Sequence, residues 1–325
     1  MGYATGVCRK LHLGEEVERR LDYYGGPREP FAAFFDRLPR GKPFFLQIGF
    51  TDPHRPYQKG AVTPPHDPAR VRVPAFLPDS AEVREDLALY YDEIARMDGE
   101  AGQVLDLLEK RGLTGNTMVV FTADNGMPFP RAKCSLYDPG IGVPLIVRWP
   151  GRVKPGTISE ELVSLIDLPE TFLDAAGAAI PPAMRGRSLL SLLVGRGGAP
   201  REAIFAERNW HDNLDLIRGV RTPHYKLIQN YRPELPYRPS LDLERSPSWK
   251  SYLELSRGGK LSPAHRQLLE PRRPEVELYD LDKDPDEFRN LAGDAAHAGT
   301  VKKLQGTLSQ WMHETNDFLP PPILL

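Results

Sequence analysis

The sequence predicts an α/β protein: a mostly parallel sheet sandwiched by helices, then a smaller C-terminal α+β domain carrying an antiparallel sheet. Three observations point there. Residues 44–50, 118–122 and 143–149 are short, near-continuous apolar runs, as expected of strands covered on both faces in a parallel sheet. Residues 81–111 carry one apolar stripe at spacings of three and four, the mark of a long helix, and lead straight into the run at 118. Past residue 195 the pattern changes to short strands with turns and no long helix until the C-terminus, which reads as antiparallel. The domains are accordingly 1–195 and 196–325, with the three apolar runs expected in one sheet.

The 325 residues carry a net charge of −2, with 40% hydrophobic and 26% charged residues. This is an ordinary globular composition, and its charge calls for neither nucleic acid nor an anionic membrane as partner. No apolar run is long enough to cross a bilayer, and the opening MGYATGVCRKLHLG has no apolar signal core. The abundant prolines favour long ordered loops over a helix bundle. Cys8 and Cys134 lie in no C-x-x-C motif and read as unpaired thiols.

In chain order, residues 1–8 read as a helix end running into a strand. Lys10 and His12 then share one side of that strand, because side chains alternate; they suit an anion site or a solvated strand end. Residues 29–38 suit a short helix with Pro30 in its first turn. The strand at 44–50 delivers Thr51-Asp52-Pro53-His54-Arg55-Pro56-Tyr57, where flanking prolines stiffen the backbone around His54. Residues 58–80 are Pro-rich and irregular. The helix at 81–111 ends at Gly112. The chain is organised around residues 117–139, TMVVFTADNGMPFPRAKCSLYDP. There a strand ends in Asp124, Asn125 and Gly126, and Lys133 follows. In open α/β sheets ligands bind at such strand ends. A carboxylate beside a carboxamide offers the hard oxygens that Ca²⁺ or Mg²⁺ takes, although a polar turn has the same composition.

Residue 167 is expected to N-cap a helix ending near 176. Short strands follow at 203–207, 217–220 and 225–229. Arg208, Trp210, His211 and Asp212 come after the first of these, as an inter-strand loop or as a substrate entrance. Residues 233–274 form a long Pro/Arg-rich loop, of the kind that is either a functional lid or disordered. One more strand at 276–279 precedes a terminal amphipathic helix at 300–315.

Five segments in order, GYATGVCRKLHLG, PFFLQIGFTDPHRPY, YYDEIARMDG, VVFTADNGMPFPRAK and ELYDLDKDPDEFRNLA, resemble a type I sulfatase of the alkaline phosphatase superfamily. NGMPFPRAKCSLYDPG and WMHETND are most similar to its sulfamidase branch. The resemblance implies an alkaline phosphatase-like fold and hydrolysis of sulfate esters or sulfamates on sulfated glycans. It implies Asp124 and Asn125 as ligands of Ca²⁺, Lys10 and His12 as contacts to nucleophile and sulfate, His54 beside the leaving group, and Lys133 on a sulfate oxygen. These six should converge on one cleft. A sulfuryl group in transfer carries dispersed negative charge, which a metal and fixed cations stabilise. Histidine suits proton delivery to the leaving group.

Two family features are missing from the sequence. The family nucleophile is a cysteine in C-x-P-x-R, oxidised to formylglycine, and neither Cys8 nor Cys134 fits that motif. The paired metal-binding Asp residues of the family's first strand are absent too. The sequence therefore reads as an N-terminally incomplete sulfatase, with an incomplete Ca²⁺ ligand set and no turnover as given. A non-catalytic binder of sulfated glycan and a phosphodiesterase of the same superfamily are the alternatives. Arg9 stands where the family usually has glycine. Members are usually periplasmic, secreted or lysosomal.

Overall fold

The structure is a computed structural model that describes residues 2–11, 14–198 and 201–319. Its contacts fall into two units. One is the chain up to Val71 with Leu87–Thr117; the other is Arg72–Asp86 with the chain from Met118 onward.

The first unit holds β1 (Ala4–Arg9), β2 (Tyr23–Gly25) and β3 (Phe44–Gly49), a parallel sheet in the order β2-β1-β3. Gly6 in β1 lets the sheet receive Phe34: a Cβ there would lie 2.5 Å from that ring. Phe34 and Phe35, on the helix Ala32–Arg37, meet Phe44 edge to face at 5.8 and 5.6 Å. Each buried ring contributes about 1.5–3 kcal/mol. The other face of β3 is more exposed. Phe45 is 41% exposed and Gln47 is exposed as well, so burial alternates where the apolar run suggested cover on both sides.

The helix Ala81–Lys110 forms as its stripe predicts, with Val83, Leu87 and Leu108 buried. Ser80 Oγ accepts from Val83 N at 3.2 Å, and Gly112, at φ +65°, closes the other end. Its buried face also carries Asp86, Asp92 and Glu93. A buried carboxylate requires donors, and all three find them.

The first strands of the second unit are β4 (Val119–Thr122) and β5 (Leu145–Arg148), which pair antiparallel with each other. Among the described residues they share no ladder with β1–β3, which corrects the expectation of a single sheet. An apolar run reports burial and is silent about direction. The connection here turns back through one helical turn, Asp138–Ile141, where a parallel pair would need a full crossover. The remaining strands β6 (Ile204–His211), β7 (Asn213–Arg221), β8 (Tyr225–Asn230) and β9 (Val276–Asp280) form an antiparallel sheet in sequential order. The α/β class thus holds: a parallel sheet with helices, and a separate antiparallel sheet toward the C-terminus.

That second sheet is covered on both faces. On one, Val220, Leu227 and Leu278 pack against Leu304 and Leu308 of the terminal helix Ala298–Thr315. On the other, Ile217, Ile228 and Tyr279 pack against Leu136. Leu136 belongs to the loop that follows Asp124-Asn125-Gly126, so this sheet is the floor of that loop.

Two further expectations change. Asp167 does not cap its helix; it is the first residue of Asp167–Ala175, fully buried. It accepts from Ser164 N, Arg187 N and Arg201 Nε at 2.8–3.0 Å. Burial alone would raise its pKa, but Arg201 and the backbone donors hold it below the ordinary value. Residues 233–274 are an ordered element with its own core of Trp249, Tyr252, Leu261 and Leu268. Its helix Pro247–Arg257 carries the start signal of a Ser N-cap before Pro, with Ser246 Oγ accepting from Trp249 N at 3.0 Å. The Pro/Arg-rich composition hid it.

Candidate active site

In the first unit the parallel strands β1 and β3 end side by side, Arg9 opposite Gly49. Lys10 follows β1 and its N–H donates to Gly49 O at 3.1 Å. Gly49 has to be glycine, because a Cβ would lie 2.1 Å from Lys10 O. Arg9 adopts φ +68°, a left-handed conformation costing roughly 1–3 kcal/mol outside glycine. A glycine would take this conformation without that strain. This chain holds Arg9 by other means: its guanidinium lies 4.4 Å from the Phe31 ring centroid and pairs with Glu100. His12 lies outside the described residues.

The loop after β3 carries His54, which is exposed. Its Nδ1 lies 2.6 Å from Arg55 O. A carbonyl only accepts, so Nδ1 is the donor in that contact. Asp52 accepts two hydrogen bonds from Arg96, at 2.6 and 2.7 Å. Glu93, alongside, has its pKa pushed up, first by burial, with the Gln58 N–H and Arg96 pulling it down.

In the second unit Asp124 is exposed at the end of β4, its Oδ1 accepting from Asn125 N at 3.0 Å. Asn125 Nδ2 donates to Gly126 O at 2.7 Å, which leaves Oδ1 as the ligating atom of that carboxamide. Both side chains thus offer hard oxygens, as a Ca²⁺ site needs. Among the described residues no group of three or more His, Cys, Asp or Glu side chains comes together to hold a metal, and Ca²⁺ takes about six to eight ligands.

The loop from Gly126 to Gly140 is drawn tight. Gly126 N donates to Gly140 O at 2.9 Å, and Lys133 N to Met127 O at 3.1 Å. Arg131 and Cys134 both adopt left-handed φ, near +65°. The Arg131 guanidinium is buried 3.8 Å from the Tyr137 ring centroid and donates to the carbonyls of Asp286 and Glu287. It is a brace. Lys133 is buried, and its Nζ lies 2.9 Å from Asp242 Oδ2. Asp242, on the turn Leu241–Glu244, was concealed by the composition of residues 233–274.

Arg208, Trp210 and His211 lie within β6, and only Asp212 forms the hairpin tip, which corrects the reading of these four as an inter-strand loop. Arg208 is buried, donating to Cys134 O at 2.6 Å and to Asp215 at 3.2 Å. Arg273 meets the same Asp215. Trp210 is 64% exposed. His211 Nδ1 lies 3.1 Å from Asp212 Oδ2, and that same oxygen accepts from Leu241 N at 2.8 Å. Lys133 and the hairpin tip are therefore tied to one short turn, Leu241–Glu244.

A sulfatase family model matches residues 8–178. This chain belongs to the sulfatase family. A second model, the C-terminal part of N-sulphoglucosamine sulphohydrolase, matches residues 131–253 of this sulfatase-family chain. Human N-sulphoglucosamine sulphohydrolase is 34% identical over 365 residues, spanning 97% of this chain and 72% of the human protein. An ulvan-active sulfatase of Formosa agariphila is 34% identical over 250 residues, 76% of this chain and 41% of that protein. Human arylsulfatase A is 31% identical over 69% of this chain and 43% of its own length. The chain thus spans less than half the length of two of these relatives. A protein solved in complex with its substrate D-glucosamine-2-N,6-O-disulfate matches with a TM-score of 0.66 at 19% identity, over 97% of this chain and 80% of that one. A phosphonate monoester hydrolase from Silicibacter pomeroyi matches at 0.63 and 22% identity, over 87% of this chain and 59% of that one. At these identities the likeness is one of fold.

Both cysteines of this sulfatase-family chain are free thiols. Burial is the largest influence on each: it pushes Cys8 up to about 11 and raises Cys134 against the pull of Arg208 and Lys133. A raised thiol pKa leaves little thiolate at pH 8. Ellman's reagent at that pH should therefore find no promptly reacting thiol in the folded protein and two after denaturation. A prompt equivalent in the native protein would contradict the burial.

Proposed function

We propose that this chain is the sulfate-recognising part of a hydrolase for sulfated glycans, with N-sulfated glucosamine as the substrate class. The observation that carries the reading is Lys133. It is a buried cation fixed in a braced loop next to Asp124 and Asn125, within the stretch matched by the sulphohydrolase model. In this reading Lys10, His12, His54, Asp124, Asn125 and Lys133 are the residues that carry the chemistry. Lys10 and Lys133 hold sulfate oxygens. His54, protonated at Nε2 as well as Nδ1, gives a proton to the leaving amine or alcohol. Asp124 and Asn125 would hold Ca²⁺ with further oxygens, and the ion when bound neutralises sulfate charge. Trp210, His211 and Asp212 meet the sugar, while Arg208 props the Cys134 carbonyl beside Lys133.

Without C-x-P-x-R the 325-residue chain is expected to bind without turnover. Titration calorimetry of the chain with N-sulfoglucosamine and with glucosamine tests the reading. The sulfated sugar should bind at least about tenfold tighter, and Lys133→Met should remove about that factor, the worth of one charge-assisted hydrogen bond. Asp242→Asn, which removes the carboxylate competing for Lys133, should tighten binding. Equal affinity for both sugars would overturn the sulfated-substrate reading. Preference for methylphosphonate would move the chain toward the phosphonate hydrolases.

A further inference from the structure

The loop after β9 closes a small charged hollow in the second unit. Residues 280–290 read DLDKDPDEFRN. Asp284 folds this segment back on itself, its Oδ1 accepting from Phe288 N at 3.1 Å and its Oδ2 from Arg289 N at 2.7 Å. Asn290 Oδ1 then accepts from Leu278 N at 3.0 Å, which fixes the residue after Arg289 against β9. The result is a cavity of about 160 Å³ lined by Asp280, Lys283, Asp284, Arg289, Leu291 and His297. Leu291 belongs to the core under the terminal helix. His297 is half-buried, its ring 6.3 Å from that of Tyr225.

The hydrogen-bonding capacity left open in this hollow is mostly of the donor kind. All four carboxylate oxygens are in use. Those of Asp284 hold the backbone, and Asp280 accepts from Lys283 Nζ at 2.7 Å and from Lys283 N at 3.3 Å. The side chains of Arg289 and His297 make no hydrogen bond or ion pair among the described residues. A guanidinium has five N–H donors, and an ammonium with one partner has two more. The two carboxylates and the Lys283 and Arg289 charges cancel, so donor geometry selects the ligand. Pockets for drug-sized molecules measure about 300–1,000 Å³, and about 160 Å³ suits an ion of a few atoms. We infer that this hollow is an oxyanion site for a sulfate-sized tetrahedral group, held by Arg289 and His297 with Lys283 at its side. A planar guanidinium meets such a group with two parallel N–H···O bonds, and the imidazole adds a third donor. The group arrives as the free ion or carried on a sugar. The inference stands apart from the reading of Lys133.

The test follows the imidazole of His297 by ¹H–¹⁵N correlation in the ¹⁵N-labelled chain, assigned by its loss in His297→Gln. Sodium sulfate should shift that resonance saturably, and sodium chloride at equal ionic strength should not. Arg289→Gln should raise the sulfate concentration at half-shift by at least about tenfold, the worth of one charge-assisted hydrogen bond. Arg257→Gln removes an exposed arginine from the helix Pro247–Arg257 and should leave the midpoint unchanged. N-sulfoglucosamine acting at lower concentration than sulfate assigns the site to a sugar-borne group; sulfate acting alone assigns it to the free ion. A His297 resonance indifferent to both, or an unchanged midpoint in Arg289→Gln, overturns the inference. Because the readout is His297 itself, failure here stays separate from failure of the sugar-binding reading at Lys133.

Discussion

Lys226→Met should lower the stability of the folded chain by about 3–5 kcal/mol, the cost of leaving a buried partner charge uncompensated. Lys226 is 1% exposed and sits between Asp138 and Glu287, with Glu287 Oε1 at 2.8 Å and Glu287 fully buried. Asp138 N also donates to Glu287 at 2.6 Å, and Arg221 flanks Asp138. The two acids respond in opposite directions. Burial acts first on both, but Lys226 and Arg221 together hold Asp138 below its ordinary value, while Glu287 stays raised despite Lys226. The depressed group stabilises the fold above its unfolded pKa of 3.8 and loses that contribution as pH falls through its folded value. The raised group stabilises fully below its unfolded 4.5, and its contribution is lost as pH rises through its folded value. Urea midpoints at neutral pH measure the main effect. The triple change Lys226→Met, Asp138→Asn, Glu287→Gln should cost less than the single one. A single-variant loss under about 1 kcal/mol, the range of surface pairs, would show that the triad is hydrated.

Gly126→Ala should cost about 3 kcal/mol or more, the upper range for forced overpacking. The new Cβ would lie 1.8 Å from Pro139 O and 2.8 Å from its carbon, both backbone atoms. Neither can turn aside as a side chain would, and the Gly126 N–H to Gly140 O bond holds the two segments together. Binding of N-sulfoglucosamine should fall with it, since Lys133 lies inside the displaced loop. Gly115→Ala, where nothing stands within 4 Å, is the matched control and should unfold near the parent temperature. Equal unfolding temperatures for the two variants would sink the account of this glycine.

Much of the frame was legible from period and punctuation. The stripe over residues 81–111 and Gly112 gave the long helix, and alternation gave the strands of the second sheet. The partner of each strand was not legible, because the run at 118–122 looks the same whether its neighbour is parallel or antiparallel. Candidate site residues stood out where their type is unusual for their place, as with His54 between prolines or Asp124-Asn125 at a strand end. The groups that hold them were missed. Asp242 is 109 residues from Lys133 and Arg96 is 44 from Asp52, distances over which no local pattern carries information. Arg9 shows the opposite case. The expected glycine marked a left-handed backbone, and the structure has that backbone with an arginine in it.

The brace on Arg131 has a consequence for how the protein is made. Its acceptors, the carbonyls of Asp286 and Glu287, are 155 and 156 residues further along the chain. At ribosomal rates of about 5–20 residues per second, that separation is a wait of roughly 8–30 s. For most of it the segment bearing Lys133 has emerged while β9 of the sheet that floors it and the carbonyls that pin it have not. Phe129 and Leu136, buried in the finished protein, are then open to water and to chaperones. Lys133, the proposed sulfate-binding cation, therefore reaches its final position well after it has been made.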